Sequence, residues 1–328
     1  MNLDNQNVLL IAPRFFGYEA DIMGELSKRG ANVDFLADRP FATSWGKAAA
    51  KYFPVCSAKL ATALYRRQLL NYGRSKYSLI LIINGQTLDT EFALELRSNF
   101  PSAKFLHYVW DSLSNRKSIV RLLKYVDSSF TFDHSDAKRF GMNFRPLFYG
   151  KNFNNVTESR TQYDISFVGT AHGDRVKVVR SLDSTLPKET KRYWYLYLQA
   201  KWVFHANRIT NPAFKNVKST DFRFYPLPKP QLQQVFSRSN AILDIEHRKQ
   251  SGLTMRTFET VGTRKKLITT NTDIASYDFY DPNNIAIINR ENPIIRDDFL
   301  MQPYKDLPDG LYQKYSISGW MDEILDAL

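Results

Sequence analysis

The sequence predicts an α/β protein of two successive Rossmann-like halves, and three observations carry that prediction. A chain of 328 residues is longer than one typical core and suits two domains. Short apolar runs of strand type alternate with helical patterns, the order that builds βαβ units and a doubly wound sheet. A polar stretch without periodicity, 151–162, separates two such series, which sets a first domain at 1–150 and a second at 151–328. Hydrophobic content of 43% and aromatic content of 14% supply both cores and speak against disorder.

In the first half, NVLLIA at 7–12 reads as a buried strand, followed by a loop, a helix to about Lys28, Gly30 as its stop and a strand over 32–37. Helices are expected over 45–52 and 60–72, a strand over 77–83 ending at Asn84 and Gly85, a helix over 90–99, and a strand over 104–110 ending at Asp111. Helix 117–125, strand 129–132, helix 133–140 and an extended segment 145–149 complete it. The second half restarts with a strand at 164–168, a glycine-bearing loop at 169–173 and a helix at 175–182. A strand at 193–198 follows, then 201–217 without a clear pattern, a proline-rich extended segment at 222–230 and a helix at 231–237. The last elements are a strand at 241–245, a helix capped by Ser251 or Thr254 and ended by Gly262, strands at 266–270 and 285–288, and a terminal helix whose Trp320, Ile324 and Leu325 share one face.

Composition narrows the function classes. The lone Cys56 rules out an internal disulfide framework and fits a reducing cytosol. The start, 1–7, is polar and runs straight into a strand, so no leader is expected, and apolar runs such as 79–83 fall far short of the ~20 residues that span a bilayer. The expectation is a cytoplasmic protein, or one peripheral at the inner face of the plasma membrane. Net charge is +12, and it is unevenly distributed. No acidic residue lies between Arg39 and Leu88, yet Arg39, Lys47, Lys51, Lys59, Arg66, Arg67, Arg74 and Lys76 do, with Trp45, Tyr52, Phe53, Tyr65 and Tyr72 among them. Such a 39–76 tract suits an anionic membrane surface, a phosphorylated acceptor or nucleic acid.

Neither G-x-G-x-x-G nor a P-loop occurs, which argues against a nicotinamide enzyme or a kinase. The histidines at 107, 134, 172, 205 and 247 show no ligand spacing, no Asp-x-Asp ends a strand, and no G-x-S-x-G elbow appears, so no metal and no cofactor are expected. The richest stretch is 241–271: a strand, a polar loop with Glu246, His247, Arg248 and Lys249, a helix start, and a second strand. Free N–H groups and the positive dipole end of that helix suit an anion. Gly252 permits close approach to the backbone, Arg256 offers a fork for a diphosphate, and Glu259 one turn on offers acceptors to vicinal hydroxyls. The plain alternative is an αβ unit with a solvated, charged loop.

Gly252, Leu253, Arg256, Phe258 and Glu259 together resemble the Gly-Leu-x-x-Arg-x-Phe-Glu donor-site signature of bacterial GT-B glycosyltransferases, of the type that builds surface polysaccharide and lipopolysaccharide. Many relatives carry two glutamates spaced Glu-x7-Glu here, whereas Glu246 and Glu259 lie thirteen positions apart. The resemblance implies two Rossmann-like domains facing a cleft, with the final helix, about 315–328, crossing back to the first. It implies a nucleotide-sugar donor held by the second domain and an acceptor, lipid-linked or polysaccharide, held by the first. Gly169, Thr170, His172 and Arg175 would approach the donor phosphates, Tyr225 the base, and Glu246, His247, Ser251 and Thr254 would complete the donor set. Asp111, then Glu19, are the candidates for a base that deprotonates an acceptor hydroxyl; the alternative for each is a helix-capping carboxylate, and for Glu19 that alternative is the favoured one. No nucleic acid is expected as partner. The competing classes are a non-catalytic nucleic-acid or anionic-polymer binder on the same scaffold, and a nucleotide-sugar epimerase or hydrolase.

Overall fold

The computed structural model describes residues 2–38, 54–113, 119–154, 160–248, 251–296 and 298–328. The chain divides into two compact units, Met1–Leu147 with Ile317–Leu328, and Phe148–Ser316. The helix expected over 45–52 lies outside the described residues, as do Arg39, Trp45, Lys47, Lys51, Tyr52, Phe53, Lys249 and the middle of the polar stretch, 155–159. Among the described residues, no helix is long and apolar enough to cross a membrane.

The first unit is one parallel sheet: β1 (Asn7–Pro13), β2 (Asn32–Asp38), β3 (Leu79–Ile83), β4 (Lys104–Val109), β5 (Ser128–Thr131) and β6 (Asn143–Phe144), in the order β2-β1-β3-β4-β5-β6. Parallel sheets need helices on both faces, so β1 and β3 read as continuous apolar runs and are buried along nearly their whole length. Helix Thr90–Asn99 starts where the Asp89 carboxylate accepts from the Phe92 N–H at 2.7 Å, and it buries Phe92 and Leu96 in the core with Ile80, Ile82 and Phe105. The segment expected as a helix over 117–125 is a 3-10 helix, Ile119–Tyr125, and the extended piece expected over 145–149 carries only an isolated bridge at Tyr149, the strand β6 coming just before it at 143–144. A strand of two residues is too short to show a period. Helix Ile317–Leu325 belongs to this unit. Trp320 packs edge-on against Tyr108 at 4.8 Å, and Arg29 donates to Asp322 at 2.5 Å and to the Ser318 carbonyl at 2.9 Å.

The second unit is a second all-parallel sheet: β7 (Tyr163–Thr170), β8 (Arg192–Tyr197), β9 (Phe222–Arg223), β10 (Ser239–Asp244), β11 (Lys266–Thr269) and β12 (Ile285–Ile287), in the order β12-β11-β10-β7-β8-β9. The order reverses between β7 and β10, and α/β sheets bind ligands beyond the carboxyl ends of strands at such a reversal. In the first unit the reversal falls between β1 and β3. Gly169 and Thr170, expected in a loop, are the last residues of β7. The unassigned 201–217 is a helix, Lys201–Thr210, and a short 3-10 turn, Pro212–Phe214. Helix Met255–Gly262 ends where the Tyr312 hydroxyl donates to the Gly262 carbonyl at 2.6 Å. A Cβ on Gly262 would lie 2.6 Å from the Tyr149 ring, so only glycine fits there.

Candidate functional site

At the carboxyl ends of β7 and β10, one guanidinium group joins the two strand ends and a second ties helix Met255–Gly262 to β7. Arg175, the first residue of helix Arg175–Thr185, donates Nε to the Ile245 carbonyl at 2.7 Å and Nη1 to the Thr170 carbonyl at 3.4 Å. Arg256 donates Nη2 to the Val168 carbonyl at 3.0 Å and Nη1 to Glu259 at 3.0 Å, with its guanidinium 4.9 Å from the centre of the Phe236 ring. Burial pushes the Arg175 guanidinium below its ordinary value, with the Asp244 carboxylate opposing. Asp244 ends β10 and accepts from the Thr254 and Thr257 hydroxyls at 2.6 and 2.8 Å. It thereby fixes the start of helix Met255–Gly262, where Thr254 rather than Ser251 is the cap.

Several expected ligands occupy this rim, and several do not face it. Ser251, Thr254 and Arg256 are half-buried, but Gly252 and Leu253 are buried, so the approach to this turn is by way of Thr254–Arg256. Glu259 is 1% exposed, and the Arg256 fork is where its carboxylate is spent rather than on open space. Glu246, expected in a polar loop as one of the donor ligands, is buried and paired with Arg290, and it accepts from the Thr270 hydroxyl at 2.5 Å. The physical reason is the same for both carboxylates: each has an arginine partner within reach, and a buried charge persists only when paired. His172 and His247 lie with ring centres 6.1 Å apart beside Arg175. Burial, reinforced by Arg175 and His247, lowers His172 to about 4. Tyr225 is exposed, and its carbonyl accepts from the Tyr195 hydroxyl at 2.9 Å.

Sequence reasoning missed the knot that holds this rim. Arg290 donates to Asp174 at 2.9 Å, to the Glu246 carbonyl at 3.0 Å and to Thr270 Oγ1 at 3.1 Å, besides its ion pair with the Glu246 carboxylate. Arg248 reaches Asp174 at 2.7 Å and Glu291 at 2.5 Å, and Lys177 pairs with Glu291. Burial alone would raise the Asp174 carboxyl, but Arg290 and Arg248 hold it below the usual range. Asp244 was findable, because an apolar strand ending in Asp is the signal that singled out Asp111.

In the first unit the corresponding edge is built around Asn84, at φ 61°. Its Oδ1 accepts from the Trp110 N–H at 3.0 Å, its Nδ2 donates to Asp111 Oδ2 at 3.1 Å, and its carbonyl meets His107 Nε2 at 2.9 Å. Asp111 is half-buried just past β4, oriented by that amide. Glu19 accepts from the Phe15 N–H at 3.1 Å and closes the loop ahead of helix Tyr18–Lys28, whose N-cap is Gly17 with no side-chain cap. In the basic tract, Arg66 pairs with Glu91 and Glu95, and Arg74 with Asp34. Tyr65 is buried and bonded to Thr87, and the Tyr72 hydroxyl donates to the Phe35 carbonyl. Lys59, Arg67 and Lys76 are exposed. Among the described residues no group of three His, Cys, Asp or Glu side chains has the arrangement to hold a metal ion.

No protein-family model matches the chain, and no curated protein sequence matches it. Solved structures do. A UDP-forming α,α-trehalose-phosphate synthase from Burkholderia xenovorans superposes with a TM-score of 0.62 at 12% identity, covering 100% of this chain and 98% of that one. Alr3699/HepE from Anabaena, solved in complex with UDP and glucose, gives 0.60 at 11% identity, covering 99% and 100%. A glycosyltransferase from Rickettsia africae ESF-5 gives 0.59 at 10%, covering 98% and 97%. The fold is that of the GT-B glycosyltransferases. At these identities the likeness concerns the GT-B fold and not the residues on it.

Proposed function

We propose that this chain is a glycosyltransferase that moves a sugar from a nucleotide-sugar donor to a hydroxyl of a polysaccharide or lipid-linked acceptor, without a metal ion. The observation that carries the reading is the paired arginines at the sheet reversal of the second unit. Arg175 bonds carbonyls at the ends of both β7 and β10, and Arg256 bonds the Val168 carbonyl near the end of β7, where ligands of α/β sheets bind, in a chain whose fold neighbours include a structure holding UDP and glucose. The acceptor oxygen attacks the anomeric carbon, the bond from that carbon to the diphosphate oxygen breaks, and the acceptor proton passes to a base, for which Asp111 is the nominee. Arg256, the amides at Thr254–Arg256 and Arg175 meet the charge that gathers on the leaving diphosphate, the work a metal does elsewhere. Glu259 aims Arg256, and the Arg290 knot keeps the β7 and β10 loops at fixed spacing. The Gly-Leu-x-x-Arg-x-Phe-Glu likeness supports the same assignment and points to surface-polysaccharide or lipopolysaccharide synthesis. The enzyme would work in the cytoplasm, with Lys59, Arg67 and the rest of the 39–76 tract against an anionic membrane where a lipid-linked acceptor waits.

The test is a donor screen by mass spectrometry with purified protein and lipid-linked acceptors, run beside Arg256→Ala. The wild type should consume one nucleotide sugar, and the variant should lose roughly a hundredfold or more in kcat/KM, as loss of one charge-stabilising donor does elsewhere. Undiminished transfer by Arg256→Ala would remove the donor-site assignment.

A further inference from the structure

A second surface, on the second unit, carries the marks of a lipid contact. Helix Lys201–Thr210 is anchored by one buried side chain, Phe204, which packs on Phe222 at 5.3 Å. Its opposite face presents Trp202 at 72% exposure and Ile209 at 85%. Seven residues separate these two, close to two helical turns, so they lie on one face with Ala206 between them. Isolated exposed apolar residues are ordinary, but a tryptophan and an isoleucine aligned on one helix face are a patch.

Its charge setting identifies the occupant. No acidic residue occurs from Thr190 to Thr220, and Lys201, Arg208, Lys215 and Lys218 are exposed and make no ion pair among the described residues. In the 39–76 tract, by contrast, Arg66 and Arg74 are neutralised by acids from other elements. Indole favours the headgroup boundary, isoleucine the acyl region, and unpaired cations the phosphate plane. A nucleic acid would match the charge but would offer Ile209 nothing to enter. We infer that the Lys201–Thr210 helix docks on an anionic lipid surface, with Trp202 and Ile209 inserted and Lys201 and Arg208 at the headgroups. Just beyond the helix, Asn211 Nδ2 donates to the Gly173 carbonyl at 3.0 Å, so this contact is tied to the loop between β7 and helix Arg175–Thr185. The inference extends the membrane-side setting of the transferase reading to a surface of its own, but vesicle binding needs no turnover and is read separately.

The experiment is co-sedimentation of the full chain with phosphatidylcholine vesicles, with and without phosphatidylglycerol, for wild type, Trp202→Ser with Ile209→Ser, and Lys59→Glu with Arg67→Glu. Wild type should bind only the phosphatidylglycerol vesicles, and the double serine variant should lose about tenfold or more in partitioning, the scale set by withdrawing two apolar side chains from the interface. That variant should keep its thermal shift with nucleoside diphosphates, because neither residue touches the Arg175–Arg256 rim. Lys201→Glu with Arg208→Glu, whose side chains lie outside the core, gives the same reading should the serine variant misfold. Loss in both the helix and the tract variants would still support the helix. The proposal falls if the helix variants bind like wild type, if only the tract variant loses binding, if charge-free vesicles bind equally, or if wild type binds no vesicle. Self-association that disappears with Trp202 would also overturn it, in favour of a second copy as occupant. Failure of the donor screen with vesicle binding intact would remove the transferase reading alone.

Discussion

The two sheets share a parallel, six-stranded design and differ most at their carboxyl edges. In the first unit that edge is acidic and amide-lined: Asp38 accepts from the Gln86 and Thr87 N–H groups, Asn84 aims Asp111, and Asp133 caps helix His134–Phe140. In the second, every carboxylate at the rim is shadowed by a cation or hydroxyl: Arg290 and Arg248 on Asp174, Arg290 on Glu246, Arg256 on Glu259, two threonines on Asp244. Topology gives both units the same reversal of strand order, and side chains at the strand ends make the difference: a half-buried carboxylate, Asp111, held by an amide in one, and arginines bonded to strand-end carbonyls in the other. The division of labour proposed for this chain is thus a statement about strand-end residues, not about fold.

The sharpest way to break the comparison is Asp111→Asn. Asparagine keeps the size and the partnership with Asn84 but cannot accept a proton. Transfer should fall about 10²- to 10⁴-fold, the usual worth of a positioned base, with the diphosphate thermal shift unchanged. Arg256→Ala should lose both. If Asp111→Asn turns over normally, the acidic edge of the first unit is scaffolding and the contrast between the edges has no catalytic meaning.

Arg290→Met tests whether the second edge is held by charge pairing. It leaves Glu246 and Asp174 without their shared partner, and breaking a buried pair costs about 3 kcal/mol. The expected result is a lower denaturation midpoint and weaker diphosphate binding, read by urea titration and thermal shift. A neutral outcome would mean that Arg248 and Thr270 hold the loops without Arg290.

These two tests fall on residues of very different legibility. Asp111 stood out because an apolar strand ended in a carboxylate, and Arg256 because it belongs to a compact local pattern with Gly252 and Glu259. Arg290 pairs with Glu246 44 positions away and Asp174 116 away, and such partnerships leave no local period. Alternating apolar runs made most strands and helices readable, whereas β6 and β9, two residues each, carry no pattern. Helix Lys201–Thr210 resisted because its apolar residues lie on both faces, one for the core and one outward. The 39–76 tract looked more cationic in sequence than it is in space, since Glu91 and Glu95 come from the following helix.

The smallest expected effect sharpens the comparison most finely, because each unit holds one histidine lowered to about 4. For His107 the cause is burial, offset in part by the Asn84 carbonyl. For His172 it is burial assisted by Arg175 and His247, side chains that belong to the proposed anion site. Both native values lie below the ordinary 6.5, so the unfolded chain binds more protons between them. Each histidine therefore removes stability as pH falls from about 6.5 towards 4, and His107→Gln should flatten part of that acid limb. A bound nucleoside diphosphate should then separate the pair. Its negative charge compensates Arg175 and favours the His172 imidazolium, raising that pKa by roughly one unit, while His107 in the other sheet stays where it is. NMR titration of the two ring resonances with and without ligand reads this directly. Equal movement of both would indicate a global change, and no movement of His172 would put the diphosphate somewhere other than the Arg175–Arg256 rim.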